Sequence, residues 1–168
     1  MKKLFFLFSL LPFLTQSQSW TTSSNFIGDG RHHPITFSND NYGFVVSGSY
    51  LNDVFKYDKL NDTWTQLQDF PGQGRGYGYA VSIGNDAYVG FGSTDNGQFP
   101  TNWWKYDMLT DTWFQLSSFI GDGRNHPAMV VVNNKIYVGC GSNDNGNLGD
   151  WWEYDIIADS WSQKSDII

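Results

Sequence analysis

Downstream of residue 20 the apolar residues come in short runs divided by polar clusters, and no stretch keeps the three-to-four spacing of an amphipathic helix. The runs fall into sets of four. A first strand is predicted over 33–37, 77–83 and 126–132, each following a Gly-x-Gly-Arg turn. A second, apolar run ending in glycine occupies 44–48, 88–92 and 137–141. A third strand contains Phe55-Lys-Tyr57, Trp104-Lys-Tyr106 or Trp152-Glu-Tyr154, and a fourth is built on residues 63–67 and their equivalents. Asn, Asp and Gly clusters such as Asn39-Asp-Asn41, Gly84-Asn-Asp86 and Asn61-Asp62 separate the runs, which is the chemistry of tight hairpins.

The sets are one unit written three times. Phe26-Ile-Gly-Asp-Gly-Arg31, Phe70-Pro-Gly-Gln-Gly-Arg75 and Phe119-Ile-Gly-Asp-Gly-Arg124 repeat at offsets of 44 and 49. Trp20, Trp64, Trp113 and Trp161 keep step with them, and Tyr57-Asp58, Tyr106-Asp107 and Tyr154-Asp155 each stand seven residues before a Trp. Units of this length with four antiparallel strands describe propeller blades. The expected organisation is a strand over 20–26, then blades over 27–69, 70–118 and 119–168.

These residues resemble the kelch family. The glycine-rich second strand is followed by Asn52-Asp53-Val-Phe-Lys-Tyr57-Asp58 and then Asn61-Asp62-Thr63-Trp64, which is similar to the kelch pattern. The family's paired glycines stand here as Val46-Ser-Gly48, Gly90-Phe-Gly92 and Gly139-Cys-Gly141. The resemblance implies an all-β, kelch-type β-propeller segment of three four-stranded blades plus an N-terminal closing strand. It implies a binding or interaction module. Its enzymatic alternative is a carbohydrate-active propeller resembling galactose oxidase or the exported sialic acid mutarotases. A copper radical centre requires a Cys beside a Tyr and His set. Cys140 is the one cysteine and has Ser47 and Phe91 as its repeat counterparts, so no cofactor is expected.

Three blades do not close a ring, since propellers typically carry four to eight. Either the chain is the front part of a longer protein or identical chains self-associate; the former is expected, because a bare sheet face invites aggregation. Residues 1–19 read as a secretory leader. A Met1-Lys-Lys start, an eleven-residue apolar run over 4–14 and a small polar stretch fit that use, and the run is short of the roughly 20 residues that span a bilayer. A secreted, periplasmic or cell-surface location follows, with no membrane span after cleavage. Lys and Arg number 10 against 17 Asp and Glu, for a net charge of −7, which excludes nucleic acid as a partner.

Candidate ligand-binding residues are those that the repeat sets in equivalent places. Arg31, Arg75 and Arg124 follow the Gly-x-Gly turn, where guanidinium groups would suit anionic ligands; structural ion pairs are the commoner use of such arginines. His33 and His126 are equivalent, but a whole blade between them argues for packing or turn roles. Trp103 and Trp151 point away from their neighbours Trp104 and Trp152, either as interblade filler or, if exposed, as platforms for a carbohydrate. The connections over 94–102 and 143–150 are longer than in the first unit, and their Asp-Asn-Gly cores lack the ligand ladder of a calcium loop. No residue set specifies catalysis or a metal, and a protein or a carbohydrate is the expected partner.

Overall fold

The computed structural model describes residues 20–166, so the leader lies outside the described residues. Blade one consists of β1 (Ile35–Ser38), β2 (Tyr42–Val46), β3 (Val54–Asp58) and β4 (Thr63–Gln66). Blade two has β5 (Tyr79–Ile83), β6 (Asp86–Gly90), β7 (Trp103–Asp107) and β8 (Thr112–Leu116). Blade three has β9 (Ala128–Val132) and β10 (Lys135–Gly139), a small hairpin β11 (Ser142–Asn143) and β12 (Gly146–Asn147), then β13 (Trp151–Asp155) and β14 (Ser160–Gln163). Each blade is an antiparallel meander, first strand to fourth in order. The first strands β1, β5 and β9 touch in succession and mark the inner side of the arc.

Two cores hold the blades together. Between blades one and two lie Phe37, Phe44, Val54, Phe70, Trp104 and Tyr106; between blades two and three lie Tyr88, Trp103, Phe119, Ile136, Trp152 and Trp161. Alternation along each strand sends one set of side chains to the preceding blade and the other to the next. The middle blade is therefore apolar on both faces.

The landmarks of the repeat tie adjacent blades. Tyr57, Tyr106 and Tyr154 donate their phenol hydrogens to Asp62, Asp111 and Asp159 at 2.7, 2.7 and 2.6 Å. Those aspartates, at φ of 51°, 52° and 46°, also accept the backbone amides of Ser24, Gln68 and Ser117, which lie one repeat upstream. Burial first, and then the aspartate, drives the Tyr106 and Tyr154 phenols far above their ordinary pKa.

The arginines also join blades. Arg75 and Arg124 are fully buried, and the Arg31 side chain is 4% exposed. The carbonyls of Arg75 and Arg124 accept the amides of Gly48 and Gly92 in the blade before, both at 2.8 Å. Their guanidinium groups grip their own blade, donating to the Phe91 and Cys140 carbonyls at 3.2 and 3.1 Å. Each lies over the ring of Phe26, Phe70 or Phe119 about 5 Å away. Arg31 and Arg124 form two-pronged pairs with Asp53 and Asp150. Arg75 has Asn102 in that place, at 2.9 Å. It is a buried charge with no carboxylate, and burial lowers its pKa to about 10.

Two expectations are corrected. The segment 20–26 forms no strand: Trp20 is fully exposed, and a ladder has no partner where strands one to three of a preceding blade would lie. Ser23 and Ser24 are held there by Asp62, and Ser23 also shares a hydrogen bond with the Tyr57 hydroxyl at 2.6 Å. The first strands begin two residues later than predicted, because His33, Tyr77 and His126 have φ of 50°, 62° and 52°, outside the β region.

Gly74 and Gly123 lie directly against the backbone carbonyls of Tyr50 and Phe99, where a Cβ has no room. Gly74→Ala and Gly123→Ala are each expected to lower stability by about 1–3 kcal/mol in denaturant unfolding. Asn102→Asp, which gives Arg75 the carboxylate its two counterparts have, is expected to raise stability by about 1 kcal/mol at pH 7. Asp150 shows the sign of its pH dependence: hydrogen bonds from Arg124 hold this carboxyl below its ordinary range. Such a group stabilises fully above its unfolded pKa of about 3.9 and loses that contribution as pH falls through the folded value. Unfolding curves for Asn102→Asp and the parent chain should therefore separate at pH 7 and converge in acid.

Candidate functional site

The blades converge most closely where the first strands begin. The Tyr77 amide donates to the His33 carbonyl, and the His126 amide donates to the Tyr77 carbonyl, both at 3.2 Å. One hydrogen bond at each of the two blade junctions thus runs around the axis between equivalent residues. The left-handed φ at these three positions swings each side chain out of the strand alternation and toward the same place. Pro34, Gly78 and Pro127 follow them, one residue ahead of β1, β5 and β9.

The result is a cluster of rings. His33 and Tyr77 have centroids 4.0 Å apart, Tyr77 and His126 5.1 Å, and His33 and His126 5.8 Å. His32 joins from one side, its Nδ1 lying 2.9 Å from the Nδ1 of His33, so that one imidazole donates and the other accepts. Tyr79 stands edge-on to His126 at 6.4 Å. The rings border a pocket of about 290 Å³, which Thr36, Gly78 and Ala80 also line and no carboxylate does. At Gly78 a Cβ would strike Ile35 and the carbonyl oxygens of Gly90 and Phe91.

The sequence-derived candidates separate sharply. His33 and His126 come together, contrary to the expectation that a blade would keep them apart: at the axis, equivalent residues of alternate blades are neighbours. His32 does not point away from His33, because His33 itself leaves the strand conformation. Arg31, Arg75 and Arg124 are removed as ligand contacts, since their guanidinium groups are buried and fully engaged. Trp103 is removed as a sugar platform: it is 1% exposed and packs against Tyr154 and Trp161 across the blade interface. Trp151 is half-buried on the outer face of blade three, stacked on Tyr137 with 15° between the ring planes. Cys140 is a free, half-buried thiol at φ 55°. Among the described residues no three His, Cys, Asp or Glu side chains are grouped as a metal site requires.

Tyr77, Tyr79 and His32 were missed as site residues. The repeat alignment holds the signal for Tyr77, which occupies in the middle unit the place of His33 and His126.

The kelch motif matches the sequence twice, over residues 42–71 and 123–167. These spans are the last three strands of blade one with the link beyond, and nearly all of blade three. No curated protein matches the sequence. Among solved structures, that of YjhT superposes with a TM-score of 0.71 at 20% identity. The match covers 82% of this chain and 52% of YjhT, so the chain spans about half the length of that structure. At that identity the likeness speaks for the fold alone. The two kelch motifs, set in three meandering blades in propeller order, identify kelch repeats in a partial β-propeller.

Proposed function

We propose that the chain is an exported kelch-repeat interaction module that takes a carbohydrate at the axial pocket. The observation that carries this reading is the convergence of His33, Tyr77 and His126 from one repeat position on a single pocket of about 290 Å³. That volume is near the lower end for small-ligand sites, which combine ring surfaces with a few oriented polar groups. The aromatic faces offer apolar area to the CH face of a sugar. The Thr36 hydroxyl, the tyrosine hydroxyls and the imidazole nitrogens offer hydrogen bonds to its hydroxyl groups. An anionic ligand is the weaker reading, because the three arginines that would have recognised it are buried in the blade links. The leader-like residues 1–19 support export.

Isothermal titration with a panel of neutral mono- and disaccharides tests the reading. Binding by the parent chain is expected, weakened at least tenfold by Tyr77→Asn and by His126→Asn. Asparagine tolerates the left-handed backbone, so the melting temperature should stay close to that of the parent. No saccharide binding, or binding untouched by both substitutions, would overturn it. Binding of a Glu-rich peptide in place of sugars would replace the carbohydrate with an acidic protein partner.

A further inference from the structure

Each blade carries an aliphatic side chain where its own fold has no use for one. Leu60, Leu109 and Ile157 stand three residues after the Tyr of their units, in the turns that join β3 to β4, β7 to β8 and β13 to β14, and they are 88%, 69% and 97% exposed. The turns engage the backbone of these residues. Asp58 accepts the Leu60 amide at 2.9 Å, Asp107 the Leu109 amide at 2.8 Å and Asp155 the Ile157 amide at 3.0 Å. Polar residues and glycine are the usual occupants of such turns. The flanking positions change character from unit to unit, Lys59 to Met108 to Ile156 on one side and Asn61 to Thr110 to Ala158 on the other, while the exposed position is aliphatic in all three.

The three turns lie at one end of the blades. Pairing of Ser38 with Gly43, Tyr42 with Asp58 and Asp58 with Thr63 sets the turn after β1 beside the turn after β3, at the end opposite the start of β1 and the axial rings. The registers of the other two blades repeat this arrangement. At the junction of blades one and two the same end opens into a cleft of about 530 Å³, with Asp40, Asn41, Tyr42, Asn85 and Leu109 among its walls. The cleft is built by the junction itself. Asn39 donates to the Asn85 side chain at 3.0 Å from one blade to the next, and its side-chain oxygen accepts the Asn41 and Tyr42 amides at 3.0 and 2.9 Å.

Carboxylates accompany the aliphatic side chains. Lys105 pairs with Asp86 at 3.5 Å and Lys135 with Asp155 at 3.3 Å, whereas among the described residues Asp40, Asp58 and Asp107 form no ion pair. Hydrogen bonds from the Asn61 side chain to Asp58, and from the Leu109 amide to Asp107, hold both carboxyls below their ordinary range. Their negative charge therefore persists into mild acid. Lys59 is occupied with the Asp40 carbonyl.

We propose that this turn end is a second recognition surface, separate from the axial pocket, which takes a cationic segment of a partner protein whose lysine or arginine side chains are interspersed with aliphatic ones. A lysine or arginine entering the cleft lays its methylene stem on Leu109 and brings its charge to Asp40. Aliphatic side chains of the partner cover the exposed residues of the turns. Because an aspartate already fixes the backbone under each of the three, little ordering is left to oppose the contact. The kelch repeats indicate an interaction module, and a protein is the partner that offers both chemistries along one chain. An anionic bilayer would meet repulsion from the same carboxylates.

Fluorescence anisotropy with a labelled peptide of repeated Gly-Lys-Leu triplets tests the proposal, with Gly-Glu-Leu and Gly-Lys-Ser peptides as controls for charge and for apolar contact. The Gly-Lys-Leu peptide is expected to bind at least tenfold more tightly than either control, and more weakly as salt is raised. Leu109→Ser and Asp40→Asn, both at exposed sites, should each weaken it at least tenfold, with the near-UV circular dichroism of the tryptophans unchanged. Asp122→Asn removes the same charge from an exposed site at the opposite end and should leave the affinity as it is. No binding of the Gly-Lys-Leu peptide, equal binding of the Gly-Lys-Ser peptide, or a loss as large with Asp122→Asn as with Asp40→Asn would each overturn the proposal. So would binding to neutral phosphatidylcholine vesicles in place of the peptide. The saccharide titration reads the other end of the blades, so failure there leaves this result standing, and the reverse holds equally.

Discussion

A blade of this kind is apolar on both faces, and a four-stranded sheet with two apolar faces must be covered twice. That requirement organises the molecule. Blade two meets it completely, with Trp104 and Tyr106 in one core and Tyr88 and Trp103 in the other. Its stability is a sum of two interfaces more than of its own hydrogen-bonded ladder, as in other stacked repeats. The polar chemistry of the repeat serves the same end. Asp62, Asp111 and Asp159 join tyrosines to upstream amides, and Arg75 and Arg124 join one blade's glycine amide to the next blade's strand ends. Partners within one sheet would not resist separation of the sheets; these do.

The same stacking decides where a ligand site can lie. Side chains on the flanks of a blade are consumed by packing, which is how Trp103 is used. Residues at the inner ends escape, because blades meet there edge to edge instead of face to face. His33, Tyr77 and His126 stand at that edge, and the amide series beneath them holds their spacing without using their side chains.

The period of the repeat was legible from Phe, Tyr-Asp and Trp spacing, and four strands per blade from the hairpin clusters between them. The structure bears out both. Less legible was what each landmark touches. Alternation placed Trp103 opposite Trp104, but propeller stacking buries both directions, so alternation cannot distinguish a solvent face from a blade face. The arginines were visible as a set, yet an Arg after Gly-x-Gly reads alike whether its carboxylate partner is a ligand or an Asp 22 or 26 residues downstream, as Asp53 and Asp150 are. The strand over 20–26 was misjudged because its sequence carries strand residues while its ladder partners are lacking. His33 and His126 were set apart by counting along the chain, where the left-handed turn before each first strand brings them to one axis.

The three repeats also separate structural from recognition roles by what they permit to vary. At the Arg position the side chain does the joining, and all three units keep Arg; even where Asn102 replaces the carboxylate, the guanidinium still spans the Phe91 carbonyl and the Phe70 ring. At the axial position the backbone does the joining, through the amide series and the left-handed φ, and the side chain changes from His to Tyr to His with the backbone geometry kept. Two repeat positions with left-handed backbone also meet opposite constraints. Cys140, Phe91 and Ser47 share a φ near 60° because their carbonyl positions are fixed by Arg or by the tight Gly turn that follows. His33, Tyr77 and His126 bear the same kind of backbone strain with their side chains left free, and free rings held at fixed spacing around a pocket are what a binding site needs.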